Sequence, residues 1–371
     1  MSLKTTASIW YNPGLSKDYR LESVTGSGNL NMPAAKLLAI LNRQDIEGDE
    51  ALLRLAQERF SEAGVGGEFY PGNPLHLQKL LPFRPRGLAS TVHLPRSLDL
   101  VQPGTLERVM EFASCCAGQA DGMILHDSRL YEEKPEEAFA AMALADERLG
   151  ALPNAPMLFI EYAAGLSPDT FASIFENTKH LGRISACIDV SHVGIKLCQT
   201  AYARNYPGVD VCSLRSRMDL QDSIDGIQAA AGEALQVVSG LIARLVKLGK
   251  PLHYHLHDGH PLSTLSKYGV ADHLSFLQEI RIPVAYKGRR VLPGMFGIPG
   301  LFEIVRAATQ GQAGASLMIE VHPQEGRSSL GAHAGLFSYW RDKTNAERMN
   351  YWIDSMLSNA VLIRHALQNQ P

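Results

Sequence analysis

Five cysteines in 371 residues, none of them in a Cys-x-x-Cys spacing, leave no material for a disulfide framework or a zinc ribbon. Cys115 and Cys116 are adjacent, and Cys187, Cys198 and Cys212 are scattered, the usage expected of small buried side chains in a reducing compartment. The opening MSLKTTASIW has no charged region followed by an apolar stretch, so no secretion signal is expected. Long hydrophobic runs are missing too, and none is expected to reach the length that spans a bilayer. A cytoplasmic protein with no membrane partner is the resulting expectation. Positive charge is not in excess, since the formal net charge is −3; this speaks against a nucleic-acid partner and for a small-molecule substrate. There is no short-period repeat and no low-complexity segment.

What is present is an ordinary globular composition, 45% apolar and 20% charged, with 32 glycines and 20 prolines to serve many turns. Short apolar strands alternate with amphipathic helices, the pattern of a parallel sheet. Strands are expected at 7–11 (ASIWY), 66–70 (GGEFY), 88–94 (LASTVHL) and 122–126 (GMILH), and again at 157–162 (MLFIEY), 184–190 (ISACIDV), 252–256 (LHYHL) and 317–321 (LMIEV). Helices are expected at 49–63, 105–117, 135–149, 169–177, 223–248 and 301–310. No dinucleotide glycine fingerprint follows the first strand, which favours a closed (β/α)8 TIM barrel over an open doubly wound sheet. The whole chain, 1–371, reads as a single barrel domain. Segments 198–221 and 281–300 read as insertions after strands 6 and 7, and 337–369 as a helical tail that closes the barrel or packs against a second subunit of a homo-oligomer.

The chemistry lies at the strand ends, where barrels of this kind place their active sites. In order they are TVHLP with His93, ILHDS with His126, IEYAAG with Glu161, IDVSH with Asp189 and His192, HYHLHDGH with His255 and Asp258, and IEVHP with Glu320. Six consecutive strands thus finish on residue types that bind divalent metal. An acid at the edge of an apolar strand is drawn out of water and must be paired or coordinated. A mixed carboxylate–imidazole set suits zinc, manganese or magnesium better than calcium, with one to three ions expected.

This order of motifs, from His93 to Glu320, resembles the xylose-isomerase-like barrel superfamily of sugar isomerases, sugar epimerases and endonuclease IV. The resemblance to its isomerase and epimerase members implies one metal held by Glu161, Asp189, His255 and Glu320, with Glu161 and Glu320 also acting as the catalytic acid/base pair. Its endonuclease-IV-like members imply more ligands: His93 and His126 on a first metal, Glu161 bridging to a second, and His192 with His273 on a third. Where those members carry an acid two residues before the last histidine, this chain has Ala271, with Asp272 adjacent instead.

His253, His255 and His257 share one strand face by alternation, so a shift of register would exchange them; the match of HLHD favours His255. His257, Asp258 and Arg327 are candidate substrate contacts, and His260 is a loop residue that either contacts substrate or is solvated. Lys287, Arg289 and Arg290 form a basic loop cluster, while Gly294, Gly297 and Gly300 suggest tight turns rather than a phosphate cradle. His322 points to the side of Glu320, His333 has no assigned role, and His76, His180 and His365 read as surface. Two enzymatic readings follow: a metal-dependent isomerase or epimerase of a small polyhydroxylated substrate, or a multinuclear hydrolase of a phosphoester. A barrel that binds a metabolite or partner without catalysis fits only if the acid and histidine set is incomplete in space.

Overall fold

The computed structural model describes residues 35–41, 49–163, 165–211, 214, 220–261, 273–277, 279–281, 291–311, 313–321 and 344–369. All of these lie in one compact unit, Pro33–Pro371. Eight parallel strands close into a barrel: β1 (Lys36–Ile40), β2 (Gly66–Phe69), β3 (Ser90–His93), β4 (Gly122–His126), β5 (Met157–Tyr162), β6 (Ile184–Asp189), β7 (Leu252–Leu256) and β10 (Ala315–Ile319). Neighbours around the ring run β1-β10-β7-β6-β5-β4-β3-β2, so every strand pairs with its successor and the last returns to the first. An antiparallel pair, β8 (Glu279–Arg281) and β9 (Val291–Pro293), stands apart from the barrel sheet.

The strands fall within a few residues of the expected ones, with one exception. The barrel takes Lys36–Ile40 as its first strand, whereas 7–11 lies outside the described residues. KLLAI is made of strong helix formers and is buried at Leu37 to Ile40 on both faces, so it carries no alternation for a reader of the sequence to find.

The helices are α1 (Glu50–Glu62), α2 (Pro74–Leu80), α3 (Thr105–Cys116), α4 (Leu130–Glu133), α5 (Pro135–Ala151), α6 (Pro168–Asn177), α7 (Val190–Asn205), α8 (Leu220–Val246), α9 (Gly297–Thr309) and α10 (Asn345–Gln368). Several begin on a side-chain cap that the sequence carries openly. Asp49 accepts from Leu52 N at the head of α1, Asn73 from His76 N at α2, and Ser167 from Thr170 N at α6. The segment 198–221, expected to be irregular, is instead helical as far as Asn205, because Asp189 caps α7 directly at the end of β6. A second helix, α8, follows it where a helix was expected at 223–248. Its stretch Ser223–Val246 is long and apolar enough to cross a membrane by length and composition, contrary to the expectation of no such run. In the barrel it buries Ile227, Ala230, Ala234, Val238, Leu241 and Leu245 and packs against α6, α7 and α9, as an outer barrel helix must.

The C-terminal helix α10 is fastened to the barrel end that carries the strand-end acids. Trp352 is fully buried and its indole Nε1 donates to the Val321 carbonyl at 3.0 Å, just past β10. Buried Asn359 accepts from Phe276 N at 3.2 Å and donates to Ser275 Oγ at 2.8 Å, which ties down the short segment bearing His273. Truncating Trp352 to alanine is expected to lower the unfolding free energy by about 3–5 kcal/mol, the usual range for a large buried aromatic. Urea denaturation followed by circular dichroism measures it, and a loss below about 1 kcal/mol would show that α10 is not part of the cooperative barrel.

Candidate metal centre

Alternation along each strand stacks two interior layers of opposite character. Ile124 lies two residues below His126, Phe159 below Glu161, Cys187 below Asp189, and His253 below His255. Ile124, Phe159 and Cys187 form a small buried cluster of their own, separate from the main core between barrel and helices. The lower layer is therefore apolar at these three positions and polar at His253.

Strand register brings the polar layer together. His126 is level with Glu161 across β4–β5, and Asp189 with His255 across β6–β7. Glu320 N donates to the Leu256 carbonyl at 3.1 Å, which carries the acid past the end of β10 to the height of these residues. Glu161, Asp189 and Glu320 are buried, as are His93, His192, His255, His257 and His273.

Glu161 divides its two oxygens between different histidines. Oε2 lies 3.0 Å from His93 Nε2 and 3.3 Å from His126 Nε2, while Oε1 lies 3.3 Å from His255 Nδ1. That same Nδ1 is 3.1 Å from Glu320 Oε2, and the other oxygen of Glu320 is 3.3 Å from His273 Nε2. Asp189 both caps α7, accepting from Ser191 N and His192 N, and faces His192 Nδ1 at 2.8 Å and His257 Nε2 at 3.1 Å.

Three sets of donor atoms at the mouth lie within 4.8 Å of one another: His93, Glu161 and His255; Asp189, His255 and Glu320; and Asp189, His192, His257 and His273. His126 joins the first through Glu161. The sets are linked, since His255 serves two of them and Asp189 serves two. His257, expected as a substrate contact or a solvated loop residue, is completely buried and stands in the third set. Its presence there matters because 271–272, where the resemblance places a further acid, lies outside the described residues.

The electrostatics are those of buried anions held by imidazoles. Burial opposes ionisation of each carboxyl, but His126 and His255 hold Glu161 well below the usual carboxylate range, His192 and His257 do so for Asp189, and His273 and His255 for Glu320. Burial also works against protonated imidazole, and it wins at His126, pushed down to about 4, and at His273, pushed down to about 3. Burial is overcome and the pKa pushed up at His255, by Cys187 first and then by Glu68 and Glu161, and at His257, by Asp189. Two further observations fit a cation. His192 Nε2 is buried without a hydrogen-bond partner among the described residues, and neither ring nitrogen of His255 has hydrogen-bond alignment to the carboxylates it approaches. Imidazole lone pairs aimed between carboxylates are the donor chemistry of a zinc-type ion.

Asp258 is turned away from this cluster. Its carboxylate accepts from the backbone N–H groups of Gly259, Phe296 and Gly297, at 2.8, 3.1 and 2.8 Å, and so holds the turn that starts α9. The turn presses so closely on Asp258 that a Cβ at Gly294 would overlap the carboxylate, which explains the glycine there. His260 is buried, with its pKa pushed down to about 4 by that burial. His76 is half-buried, His180 and His365 are exposed, and Arg327, His322, His333, Lys287, Arg289 and Arg290 lie outside the described residues.

Glu68 on β2 contacts the site and was not singled out from the sequence. It is completely buried, as is His253 on β7, the register alternative to His255, with His253 Nε2 3.0 Å from Glu68 Oε2. The available signal was the acid of GGEFY, set inside an otherwise apolar strand.

No protein-family model matches the chain, and no curated protein matches it in sequence. Solved structures similar to it include AsfvAP:AG, at 12% identity over 90% of this chain and 99% of the other, with a TM-score of 0.49. They also include a D-allulose 3-epimerase from Methylomonas sp., at 9% identity, 90% and 99% coverage and a TM-score of 0.45. The carboxyl transferase domain of Rhizobium etli pyruvate carboxylase follows at 12% identity and a TM-score of 0.39, with 90% of this chain and 47% of the other covered. Similarity at this level settles neither family nor reaction.

A cation that binds only the folded chain stabilises it by mass action, by about 2.7 kcal/mol at a free concentration one hundred times its Kd. Because imidazoles must be neutral to coordinate, binding also expels protons from the site. Zinc added to chelator-treated protein is therefore expected to raise the melting temperature and acidify a weakly buffered solution, both effects being reversed by EDTA. A melting temperature unmoved by zinc, manganese or cobalt would refute a metal centre.

Proposed function

We propose that the chain is a metal-dependent barrel enzyme with a multinuclear centre that hydrolyses a phosphoester of a small molecule. The observation that carries this reading is the split engagement of Glu161, with His93 and His126 on one oxygen and His255 on the other. A carboxylate whose two oxygens face different histidines suits a pair of neighbouring metal ions, and the sharing of His255 and Asp189 between sets points the same way. The linked third set, with His192, His257 and His273 around Asp189, extends the same logic. The abundance of imidazole favours zinc or another transition ion over magnesium, which prefers oxygen donors and retained waters.

His93, His126 and Glu161 would hold one ion, and Asp189, His255 and Glu320 another. Such ions, when bound, supply Lewis acidity toward a phosphoryl oxygen and a water that is nucleophilic near neutral pH. The protein's own part is to hold the ligands rigid on strand ends. In the overall reaction water adds to phosphorus, the P–O ester bond breaks, and the leaving alcohol takes up a proton.

A second reading has its own observation. Glu161 and Glu320 flank one nitrogen of His255, at 3.3 and 3.1 Å, an arrangement in which two carboxylates share one ion and shuttle a proton on a polyhydroxylated substrate.

Metal analysis of His93→Ala separates the two. The hydrolase reading expects the wild type to hold at least two ions per chain and the variant to lose one of them. The variant's rate on the chromogenic diester bis(p-nitrophenyl) phosphate should fall at least about a hundredfold, or about 2.7 kcal/mol in barrier. One ion per chain, unchanged by His93→Ala, together with solvent deuterium entering a ketose substrate, would instead establish proton transfer.

A further inference from the structure

Beneath the mouth lies a set of donors that the proposed reaction does not use as a set. Cys187 on β6 and His253 and His255 on β7 are completely buried, and one donor atom from each lies within 4.8 Å of the other two. Strand register assembles them, because Cys187 is level with His253 across β6–β7, one layer below Asp189 and His255. Among the described residues this is the one donor set that contains sulfur. A cysteine packed on Ile124 and Phe159 is ordinary core by itself. Two imidazoles within ligand distance of it are not.

The nitrogens of this set are not used up by the protein. His253 Nε2 faces Glu68 Oε2 at 3.0 Å, but His253 Nδ1 is buried with no hydrogen-bond partner among the described residues. Both ring nitrogens of His255 lack an aligned partner as well, and the two rings lie 5.3 Å apart, centre to centre. A polar atom shut away from water without a partner costs free energy, and three such nitrogens in adjacent rings are a cost that one cation would relieve. Glu68 adds negative charge beside the set, and its ion-pair partners among the described residues are these same two histidines. The donors also select the ion. A thiolate with imidazoles suits zinc and its soft neighbours, whereas magnesium and calcium take oxygen.

We propose that Cys187, His253 and His255 form a further metal site, beneath the mouth, for a thiophilic ion of the zinc type. The ion bonds to the Cys187 sulfur as the thiol gives up its proton to solvent, with no change of oxidation state. His255 also belongs to two sets at the mouth, and a neutral imidazole has a single lone pair. An ion in the inner set and an ion on His255 at the mouth are therefore alternatives. Binding at the inner set does not require the mouth to hold metal.

Cobalt(II) titrated into the metal-free full chain reads this site out, because thiolate ligation gives an intense near-ultraviolet charge-transfer band that nitrogen and oxygen ligands do not. The wild type should show the band at saturation, and Cys187→Ser should lose it while still binding cobalt at the mouth. His253→Gln should need at least about tenfold more cobalt for half the band, since disturbing even an outer partner of a ligand costs that much. Cobalt bound to the wild type without the band, a band that survives in Cys187→Ser, or a half-saturation unmoved in His253→Gln overturns the proposal. Should the variants fail to fold by circular dichroism, X-ray absorption of the zinc-loaded wild type decides, after its accessible thiols have been alkylated. Sulfur at about 2.3 Å from zinc supports the site, and nitrogen and oxygen alone overturn it. The two metal readings fail separately. Cobalt bound without the band removes the inner site alone, a band lost together with all binding in Cys187→Ser removes the mouth alone, and no uptake by the wild type removes both.

Discussion

Anionic charge sealed from water dominates this molecule. Glu68, Glu161, Asp189 and Glu320 are all buried within one barrel. An uncompensated carboxylate in such a place costs several kcal/mol even after relaxation, and the sum over four would exceed the stability of an ordinary domain. The barrel answers by bringing imidazoles from β3, β4, β7 and the first turn of α7 to within about a hydrogen bond's length of each acid. Closure of the sheet makes this possible, because a ring of strands points side chains from opposite walls at one another.

The four acids are not equivalent. Glu68 accepts from the hydroxyls of Thr91 and Tyr70 and meets His253 Nε2. Glu161, Asp189 and Glu320 are compensated by histidines that compete for them, with single nitrogens shared between two carboxylates and others left without alignment. The lower carboxylate thus meets hydroxyl groups as well as imidazoles, and Glu161 and Glu320 above it meet imidazoles. The boundary between them passes through the ring of His255.

Much of the upper layer was legible from the sequence because it obeys local rules. Strand-end residues stand beside runs of apolar residues, and His93, His126, Glu161, Asp189 and Glu320 could be located by that adjacency, whereas His255 was separated from His253 and His257 only by the match of HLHD. The lower layer was not legible in the same way. Glu68 acquires its meaning from Thr91 and His253, 23 and 185 residues away, and a lone acid in GGEFY gives no hint of either. Asp258 shows the converse limit: its motif suggested a substrate contact, whereas its carboxylate is committed to three backbone N–H groups. β1 escaped notice because a strand buried on both faces loses the alternation that identifies strands, and KLLAI has the composition of a helix.

The clasp at Asp258 has a consequence for how this barrel can change over time. Beyond β7, Asp258 pairs its backbone with Leu274 at 2.7 and 2.9 Å and holds the chain again at Phe296 and Gly297, so the excursion between β7 and α9 leaves and returns at one point. The entropy of closing such an excursion grows only with the logarithm of its length, about 0.6 kcal/mol for each doubling. Residues inserted or lost between the fastened ends therefore weigh little against the stability of the whole. Chain length can thus vary between these fastenings, His273 and its neighbours apart, while the strands and their acids stay where they are.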